Sequence, residues 1–525
     1  MNNNKSNIII ALLGVAIGVF LTLVGYKVVD RNKKFDGDYN RWRKLNLILQ
    51  EVQKNYVDTI DMSGMTDAAV TAALAKLDPH SVYLPPVELE ESDSQLAGNF
   101  EGIGITFNVP NDTAIVLSVI SGGPSEKAGL MAGDRIIKVD DRMIAGTKTP
   151  QDSMVKMMKG PSGTKVKLSV SRDRQMIPFE ITRGKIPVHS IDAAFMVADT
   201  MGYIKLAKFS RSTYKEFELA AQKLLDQGMK HLIFDLRDNT GGYFDQALLI
   251  SNEFLQKKDA IVYMQGRKRA RQQYDADGRG KLKDIKLTVL IDEGSASSSE
   301  IFAGAIQDND RGVIVGRRSF GKGLVQEPIN FTDGSGVRLT VSRFYTPSGR
   351  CIQKPYDKNY NYDIYERYAH GEMTSADSMK VDSTALYYTV KGRKVYGGGG
   401  IVPDVFVSID TTRASKFFIN CNKKAVMMRF ASAIFDKYKN TLSAIDDFER
   451  LDKWMSEVGI EKQFLNYAAS TENLRPVNGE WEQTRWYMLP QIKALVGRYS
   501  KLQDEAFYRF YLPIDNEFQT ALTVQ

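Results

Sequence analysis

The sequence has few of the residues on which several common classes of protein site depend. Two cysteines among 525 residues, Cys351 and Cys421, exclude a disulfide scaffold and a cysteine-rich metal site. There are four histidines and no H-E-x-x-H motif, so we expect neither a metal nor a cofactor. The net charge of +7 is small for this length, and the basic residues are dispersed rather than gathered into a stripe. We therefore expect no nucleic-acid partner.

Long apolar runs are also scarce, and one stands near the N terminus. Ile8–Tyr26 is nineteen residues without a charge, enough to cross a hydrocarbon core of about 30 Å. It predicts a signal anchor or transmembrane helix within residues 1–27. A cleaved signal peptide is the alternative, but no A-x-A-like cleavage site follows the run. Basic residues after the run favour a cytoplasmic body, but this rule weakens for long translocated domains, so charge alone leaves the orientation open.

Residues 91–185 contain short β-branched runs separated by turn-forming residues, which predicts a small β-rich module. The stretches "EGIGITF" and "SGGPSEKAGLMAGDRIIKVDD" resemble the PDZ domain, whose carboxylate-binding loop precedes a strand. In that interpretation the loop Gly102–Gly104, with Ile103 and Ile105, directs backbone N–H groups at a peptide's terminal carboxylate while the peptide adds as a strand. The alternative is a tight bend before a strand, which glycine also permits.

Residues 186–410 alternate strand-like and helix-like runs, which predicts parallel strands joined by crossover helices. Three of these strands end in polar loops: "HLIFDLRD" ends in "NTGG", "LTVLID" in "EGSASSSE", and "GVIVG" in "RRSFGKGLVQ". Loops after parallel strands share the carboxyl edge of the sheet, where open α/β folds bind their ligands. We therefore expect the serine cluster, the glycine pair and Lys322 to lie close together.

Each of these residues has an ordinary structural explanation when it is taken alone. Ser297 and Glu300 fit a capping box at a helix N terminus, Lys322 fits a solvated surface residue, and Asn239–Gly242 fits a turn. Their convergence favours catalysis by a serine, whose hydroxyl needs a base. No histidine lies in the three loops, so a Ser-His-Asp triad is poorly supported. A lysine serves if burial lowers its pKa from about 10.4 by some three units, about 4 kcal/mol. That apolar setting is expected from three neighbours, Phe320, Leu324 and Val325.

Several separated motifs resemble, in the same order, the C-terminal processing peptidases, also called tail-specific proteases. They are "LDPHSVYL", "EGIGI", "DLRDNTGG", "GSASSSEIFAGAIQD", "GRRSFGKGLVQ" and "GGGGIVPDV". The resemblance covers residues 37–410 and implies a serine-peptidase core with an inserted PDZ domain. It implies that Ser297 is the nucleophile, that Lys322 is the general base and that Gln326 holds the lysine.

The resemblance further implies an oxyanion hole made of two backbone N–H groups. One is that of Ser298, and the other belongs to Gly241 or Gly242, between which the sequence does not decide. One such donor is typically worth about 3 kcal/mol of transition-state stabilisation. Ser298 stands where the family usually has alanine, and Thr240 where it usually has proline. The Ser298 hydroxyl is therefore a second candidate nucleophile.

The predicted organisation is an α/β serine-peptidase core at 186–410, a parallel-strand sheet with crossover helices, and a PDZ domain at 91–185. Helical regions are expected at 28–90 and 411–525. The C-terminal helical extension is expected to form either a cap or a contact in a homo-oligomer, because its apolar stripe is typical of a packing face. The polar stretch 355–394 is expected to be a surface excursion.

The predicted function is that of a serine endopeptidase anchored in the inner (cytoplasmic) membrane by a single span, with its catalytic body in the periplasm. Its expected partners are protein substrates with accessible C termini, which it cleaves near those termini through an acyl-enzyme. Two alternatives stay open. A catalytically silent PDZ-bearing adaptor binds peptides at the membrane without turnover, and a cytoplasmic hydrolase follows from the charges around the span.

Overall fold

The structure is a computed structural model, and it describes residues 43–109, 112–120, 122–356, 360–412 and 415–524. The predicted anchor at 1–27 lies outside these described residues. Within the described ranges, no helix is long and apolar enough to span a bilayer. The chain forms two compact units that divide between Lys76 and Leu77. The described part of the first unit contains helices α1 (43–55) and α2 (Met62–Leu74).

The second unit opens with a strand and a helix, β1 (Val82–Leu84) and α3 (Pro86–Ala97). A β-rich module follows, with elements β2 (Asn99–Gly102), β3 (Ile105–Asn108), β4 (Ala114–Val119), α4 (Pro124–Ala128), β5 (Arg135–Val139), β6 (Arg142–Met143), α5 (Gln151–Met158), β7 (Lys165–Arg172), β8 (Gln175–Thr182) and β9 (Gly184–Pro187). Its sheet has the order β3-β4-β5-β7-β8, with β6 on β5, and β2 pairs separately with β9. Strand β3 therefore lies at an edge of the module's sheet.

The core follows as alternating strands and helices. They are β10 (Ile191–Ala198), β11 (Met201–Leu206), α6 (Thr213–Asp226), β12 (His231–Asp235), α7 (Phe244–Phe254), β13 (Ala260–Gln265), β14 (Gln272–Asp275), β15 (Lys286–Ile291), α8 (Ser298–Asp308), β16 (Val313–Gly316), β17 (Leu324–Asn330), β18 (Gly336–Tyr345), α9 (Asp363–Ala369), β19 (Leu386–Tyr388), β20 (Lys394–Tyr396) and β21 (Val405–Phe406). The main sheet has the order β10-β11-β12-β15-β16-β21. The main-sheet strands β11, β12, β15, β16 and β21 pair in parallel, as predicted, whereas β10 is antiparallel to β11. A two-residue connection joins β10 to β11, and so short a link allows only antiparallel pairing.

The parallel strands bring the three predicted loops to one edge of the main sheet. Asp235 at the end of β12 lies opposite Leu290 of β15, and Ile291 of β15 lies opposite Gly316 of β16. The loops that leave these strands therefore start side by side, which confirms the expected placement. The second sheet is antiparallel, and its strand β18 pairs with β1, β13 and β17. Strand β17 of this sheet begins directly after the loop that carries Lys322.

One face of the main sheet is covered by the crossover helices. Every residue of β12 is buried, which is typical of a parallel sheet packed on both faces. Every residue of helix α8 is buried as well. Small residues allow α8 to pack so closely, because a Cβ at Gly304 would come within 2.7 Å of Thr346 Cγ2. Edge-to-face aromatic contacts join Phe302 of α8 to Phe234 of β12 and to Phe254 of α7. The helix that follows the serine cluster is thus held firmly in the core.

The C-terminal region is helical, as the periodicity predicts. Its helices are α10 (Lys416–Lys423), α11 (Val426–Leu442), α12 (Phe448–Glu457), α13 (Ile460–Glu472), α14 (Glu480–Gly497), α15 (Asp504–Tyr511) and α16 (Asn516–Thr523). Most of their apolar side chains pack together around Phe430 and Phe464, and Leu117 of the β-rich module joins this cluster. Phe518 of α16 instead covers the second face of the main sheet beside Tyr203. The apolar stripe is therefore packed within the chain, as expected of a packing face.

Candidate active site

Ser297 lies in the turn between β15 and α8 with a backbone conformation that few residues other than glycine adopt. Its φ is 55° and its ψ is −112°. Such a conformation costs about 1–3 kcal/mol and persists only where the surrounding structure enforces it. The strain resembles that of a nucleophile elbow, a sharp strand-to-helix turn that exposes a serine. Ser297 is half-buried, whereas Ser298 and Ser299 are buried.

The other serines of the cluster attach this turn to the "NTGG" turn. Ser295 Oγ donates to the Leu236 carbonyl at 2.8 Å, Ser299 Oγ donates to the Asn239 carbonyl at 2.8 Å, and Ser298 Oγ donates to the Gly242 carbonyl at 2.9 Å. Each hydroxyl satisfies a loop carbonyl next to the site. The crowding of serines is thereby explained, because three of them hold two loops together.

The "NTGG" turn lies directly against the candidate nucleophile. A Cβ built on Gly241 would come within 2.8 Å of both Ser297 Cβ and Ser298 N. The Gly241 N–H donates to Asn239 Oδ1 at 2.9 Å, so this group is already used. The Gly241 carbonyl accepts from the Phe209 N–H at 3.0 Å, and in a trans peptide this turns the Gly242 N–H the opposite way. Of the two glycines, Gly242 is therefore the better candidate for an oxyanion donor.

We predict that Gly242→Ala lowers the rate of serine-catalysed hydrolysis at this site by about 10²–10³-fold, the usual effect of losing an oxyanion donor. A Cβ at Gly242 would lie 1.9 Å from the Phe209 carbonyl oxygen, so the peptide must move. Gly228→Ala is the matched control, because Gly228 also has a positive φ but has open space around it. The measurement is kcat/KM of both variants on one peptide. Equal activity of the two variants would contradict a role for Gly242.

Glu300 connects the nucleophile turn to the loop of the candidate base. Its buried carboxylate accepts from the Ser297 N–H at 2.9 Å, which is half of the predicted capping box. It also accepts from the N–H groups of Gly321 and Lys322, at 2.7 and 2.8 Å, and from the Ser319 hydroxyl at 2.5 Å. Burial raises the pKa of Glu300, and these hydrogen bonds act in the opposite direction. One carboxylate thus fixes both loops.

Lys322 shares a cleft with Ser297. The cleft has a volume of about 800 Å³ and includes Gly242, Gln326 and several apolar residues, Ile301, Leu324, Val325 and Phe344. Burial lowers the pKa of Lys322, and the nearby positive charge of Arg338 lowers it further. The predicted apolar setting is correct for Leu324 and Val325. Phe320 does not line the cleft, and its ring centroid lies 4.0 Å from Lys354 Nζ.

Comparison with known proteins identifies the family. The model of peptidase family S41 matches residues 200–363, and the PDZ domain model matches residues 102–182. A "Carboxy-terminal-processing protease" of Bartonella bacilliformis is 34% identical over 354 residues, covering 66% of this chain and 80% of the relative. The chain belongs to peptidase family S41. It is a serine-type endopeptidase of the C-terminal processing group, which counts against the silent adaptor.

Other similar proteins carry related names. A "Probable CtpA-like serine protease" of Staphylococcus epidermidis is 31% identical over 346 residues, covering 66% of this chain and 69% of the relative. Among solved structures, the photosystem II D1 C-terminal processing protease is 26% identical and covers 69% of this chain and 86% of its own, with a TM-score of 0.38.

Two residues that the sequence analysis does not select, His80 and Tyr360, are linked by hydrogen bonds to Gln326 of the cleft. The predicted partner of Lys322, Gln326, donates through Nε2 to the His80 carbonyl. The His80 ring lies 2.5 Å, Nε2 to hydroxyl oxygen, from Tyr360. Burial, together with the charge of Lys322, lowers the pKa of His80 to about 4, so the ring is neutral at physiological pH. His80 stands in the motif "LDPHSVYL", which is the one feature of the sequence that could have indicated a place for His80 near the site.

The stretch 355–394, expected as a surface excursion, partly packs against the base loop. Tyr360 is 6% exposed, and Arg367 donates to the carbonyls of Arg318 and Ser319. Arg367 and Arg318 also share the buried carboxylate of Glu372. The expectation is therefore wrong for this part of the stretch, because its charged residues are paired inside the S41 fold rather than solvated.

The predicted carboxylate-binding loop of this S41 peptidase connects β2 to β3 of the PDZ domain. The carbonyls of Ile103 and Gly104 accept from the N–H groups of Ser125 and Ile120, at 3.0 and 3.1 Å. Gly104 has a φ of 77°, and a Cβ there would come within 2.8 Å of Ile186 Cδ1, so the position requires glycine. Gly102 ends β2 and Ile105 begins edge strand β3. An edge strand beside such a loop is suited to strand addition by a peptide.

Proposed function

We propose that this S41 peptidase cleaves proteins near their C termini through a Ser297–Lys322 dyad and an acyl-enzyme. The observation that carries the proposal is the Glu300 carboxylate, which accepts hydrogen bonds from the backbone N–H groups of both residues. This buried group holds the nucleophile turn and the base loop at one place, and both side chains line the same cleft. Positioning of this kind is what allows a weak hydroxyl nucleophile to react.

In the proposed first step, neutral Lys322 takes the hydroxyl proton as Ser297 Oγ attacks the scissile carbonyl. The N–H groups of Gly242 and Ser298 hold the oxyanion that forms. The C–N bond then breaks, and Lys322 gives the proton to the leaving amine. Water, activated in the same way, hydrolyses the ester and releases Ser297.

Gln326 is proposed to orient the lysine. An amide side chain offers donors on its nitrogen and acceptor lone pairs on its oxygen, whereas a lysine ammonium only donates. The Gln326 nitrogen is already directed to the His80 carbonyl. The Gln326 oxygen is therefore the atom of this amide that we propose as the acceptor for Lys322.

The PDZ module is proposed to bind the substrate's C terminus at Gly102–Ile105, with the peptide added to strand β3. We also propose that Ile8–Tyr26 anchors the chain in the inner membrane and that the body lies in the periplasm. The uncharged apolar run supports the anchor. Digestion of the body by protease added to intact spheroplasts tests the orientation, and protection of the body would place it in the cytoplasm instead.

The proposed function is tested with two unstructured peptides that have the same apolar tail and differ only in a C-terminal carboxylate or amide. We expect kcat/KM to be about 10- to 100-fold higher for the carboxylate, because the loop N–H groups make charge-assisted hydrogen bonds to it. Ser297→Ala is the inactive control. Equal cleavage of the two peptides would contradict C-terminal recognition, and binding without turnover would favour the adaptor.

A further inference from the structure

The last helix of the described chain reaches the edge of the main sheet that carries the active-site loops. Phe518 and Ala521 of α16 are buried with Ile233 and Leu290 of the sheet. Asp515, the N-cap residue of α16, accepts from the N–H groups of Glu517 and Phe518 at 3.0 and 3.1 Å. This cap and the apolar contacts fix the first turn of α16. Glu517 consequently has little freedom, and it is only 6% exposed.

Glu517 binds two arginines, one with each carboxylate oxygen. Its Oε2 accepts from Arg237 Nη1 at 2.5 Å, and its Oε1 accepts from Arg317 Nη1. Asp515 adds a second acceptor for Arg237 Nη1 at 2.7 Å. Charge-assisted hydrogen bonds between buried groups are the strong class of such contacts. The carboxylate is therefore a bridge between two separate cations.

The two arginines belong to different active-site loops. Arg237 stands five residues before Gly242, and its Nη2 donates to Asp235 at 2.6 Å. Arg317 stands five residues before Lys322, and its Nε donates to Glu293 Oε2 at 2.8 Å. Glu293 itself precedes Ser297 by four residues. All three loops of the proposed mechanism thus converge on one network.

We propose that Glu517 is a positioning residue, through which the C-terminal helix sets the relative placement of the oxyanion loop and the base loop. The inference rests on the proposed function of those loops. Without the Glu517 carboxylate, Arg237 keeps Asp235 and Asp515, and Arg317 keeps Glu293, so neither cation is left without an acidic partner. What is lost is the direct bridge between the two loops, which are otherwise joined indirectly, through the nucleophile turn. Displacement of reacting groups by about 1 Å can cost 10²-fold in rate.

The test compares the full chain with Glu517→Gln and Glu517→Asp. We expect Glu517→Gln to lower kcat about 10- to 100-fold with a smaller change in KM, because Glu517 does not itself line the cleft and the PDZ module is unchanged. Glu517→Asp keeps the charge but is one methylene shorter, so we expect an intermediate loss. The matched control is Glu457→Gln, which makes the same change at an exposed residue paired with Lys453. Active sites are counted with a fluorophosphonate that labels the nucleophilic serine, so that kcat is expressed per reactive site.

A purely structural role gives a different result from a positioning role. If Glu517→Gln lowers the melting temperature and the number of reactive sites while kcat per site stays at the parent value, the proposal is wrong. Parent-like kcat per site in a fully folded variant also overturns it. Absence of Ser297-dependent turnover in the parent would instead contradict the proposed function. The rate of fluorophosphonate labelling needs no peptide substrate, and we expect Glu517→Gln to slow it as well.

Discussion

Ser297→Ala is expected to abolish peptide hydrolysis, whereas Ser298→Ala keeps most of it. Loss of a serine nucleophile costs on the order of 10⁶-fold in kcat in a well-studied serine peptidase. Ser297 is half-buried on a strained turn that faces the cleft. The Ser298 hydroxyl is buried and donates to the Gly242 carbonyl, so it already has a role inside the protein. The predicted second candidate nucleophile is therefore the weaker one.

The Ser298→Ala variant should lose only one hydrogen bond between loops. Such a bond is worth about 1 kcal/mol, which corresponds to a loss within about tenfold. The backbone N–H of residue 298, proposed to stabilise the oxyanion, stays in place in this variant. The measurement is kcat/KM of both variants on one peptide, with circular dichroism as the check of folding. The reverse order of activities would assign the nucleophile to Ser298.

The second large effect concerns how kcat/KM depends on pH through the protonation of Lys322. A general base works in its neutral form, so kcat/KM falls tenfold for each pH unit below the pKa of Lys322 in the free enzyme. Burial lowers this pKa, and Arg338 lowers it further. Arg338→Gln removes the second cause, so the pKa rises and the acid limb of the profile moves to higher pH. His80 does not produce this limb, because its pKa is about 4.

Two variants make the pH experiment specific. Lys322→Arg, which stays protonated at every accessible pH, is expected to be inactive across the profile. Arg269→Gln is the matched control for Arg338→Gln, because Arg269 is an exposed arginine paired with Glu327 of the same sheet. We expect Arg269→Gln to leave the profile unchanged. An acid limb that stays in place in Arg338→Gln would contradict the electrostatic coupling between Arg338 and Lys322.

The sequence reveals those parts of the site that are local in the chain. Ser297 and Glu300 are three positions apart, and buried strands lead directly into the loops of Gly242, Ser297 and Lys322. Periodicity and the strand-to-helix order therefore predict that these loops meet at one sheet edge. The same patterns do not predict β10, whose direction depends on a two-residue connection.

The contacts that escape prediction join residues that are distant in the chain. Gln326 reaches the carbonyl of His80 across 246 positions, and Arg237 reaches Glu517 across 280. Neither periodicity nor composition encodes which charged residue of a polar stretch becomes buried. Arg367 illustrates this, because it is buried although it stands in a stretch whose polarity predicts solvent exposure. The burial of such residues can be recognised only from the tertiary structure, which shows their partners.

The proposed dyad is tested most directly by finding which side chain forms the covalent adduct. The purified chain is treated with a fluorophosphonate, digested, and mapped by mass spectrometry, in parallel with Lys322→Ala. The predicted result is a single adduct on Ser297 that forms far more slowly in Lys322→Ala, since the serine then lacks its base. An adduct on Ser298, or labelling of Ser297 at the same rate in both proteins, would contradict the Ser297–Lys322 dyad.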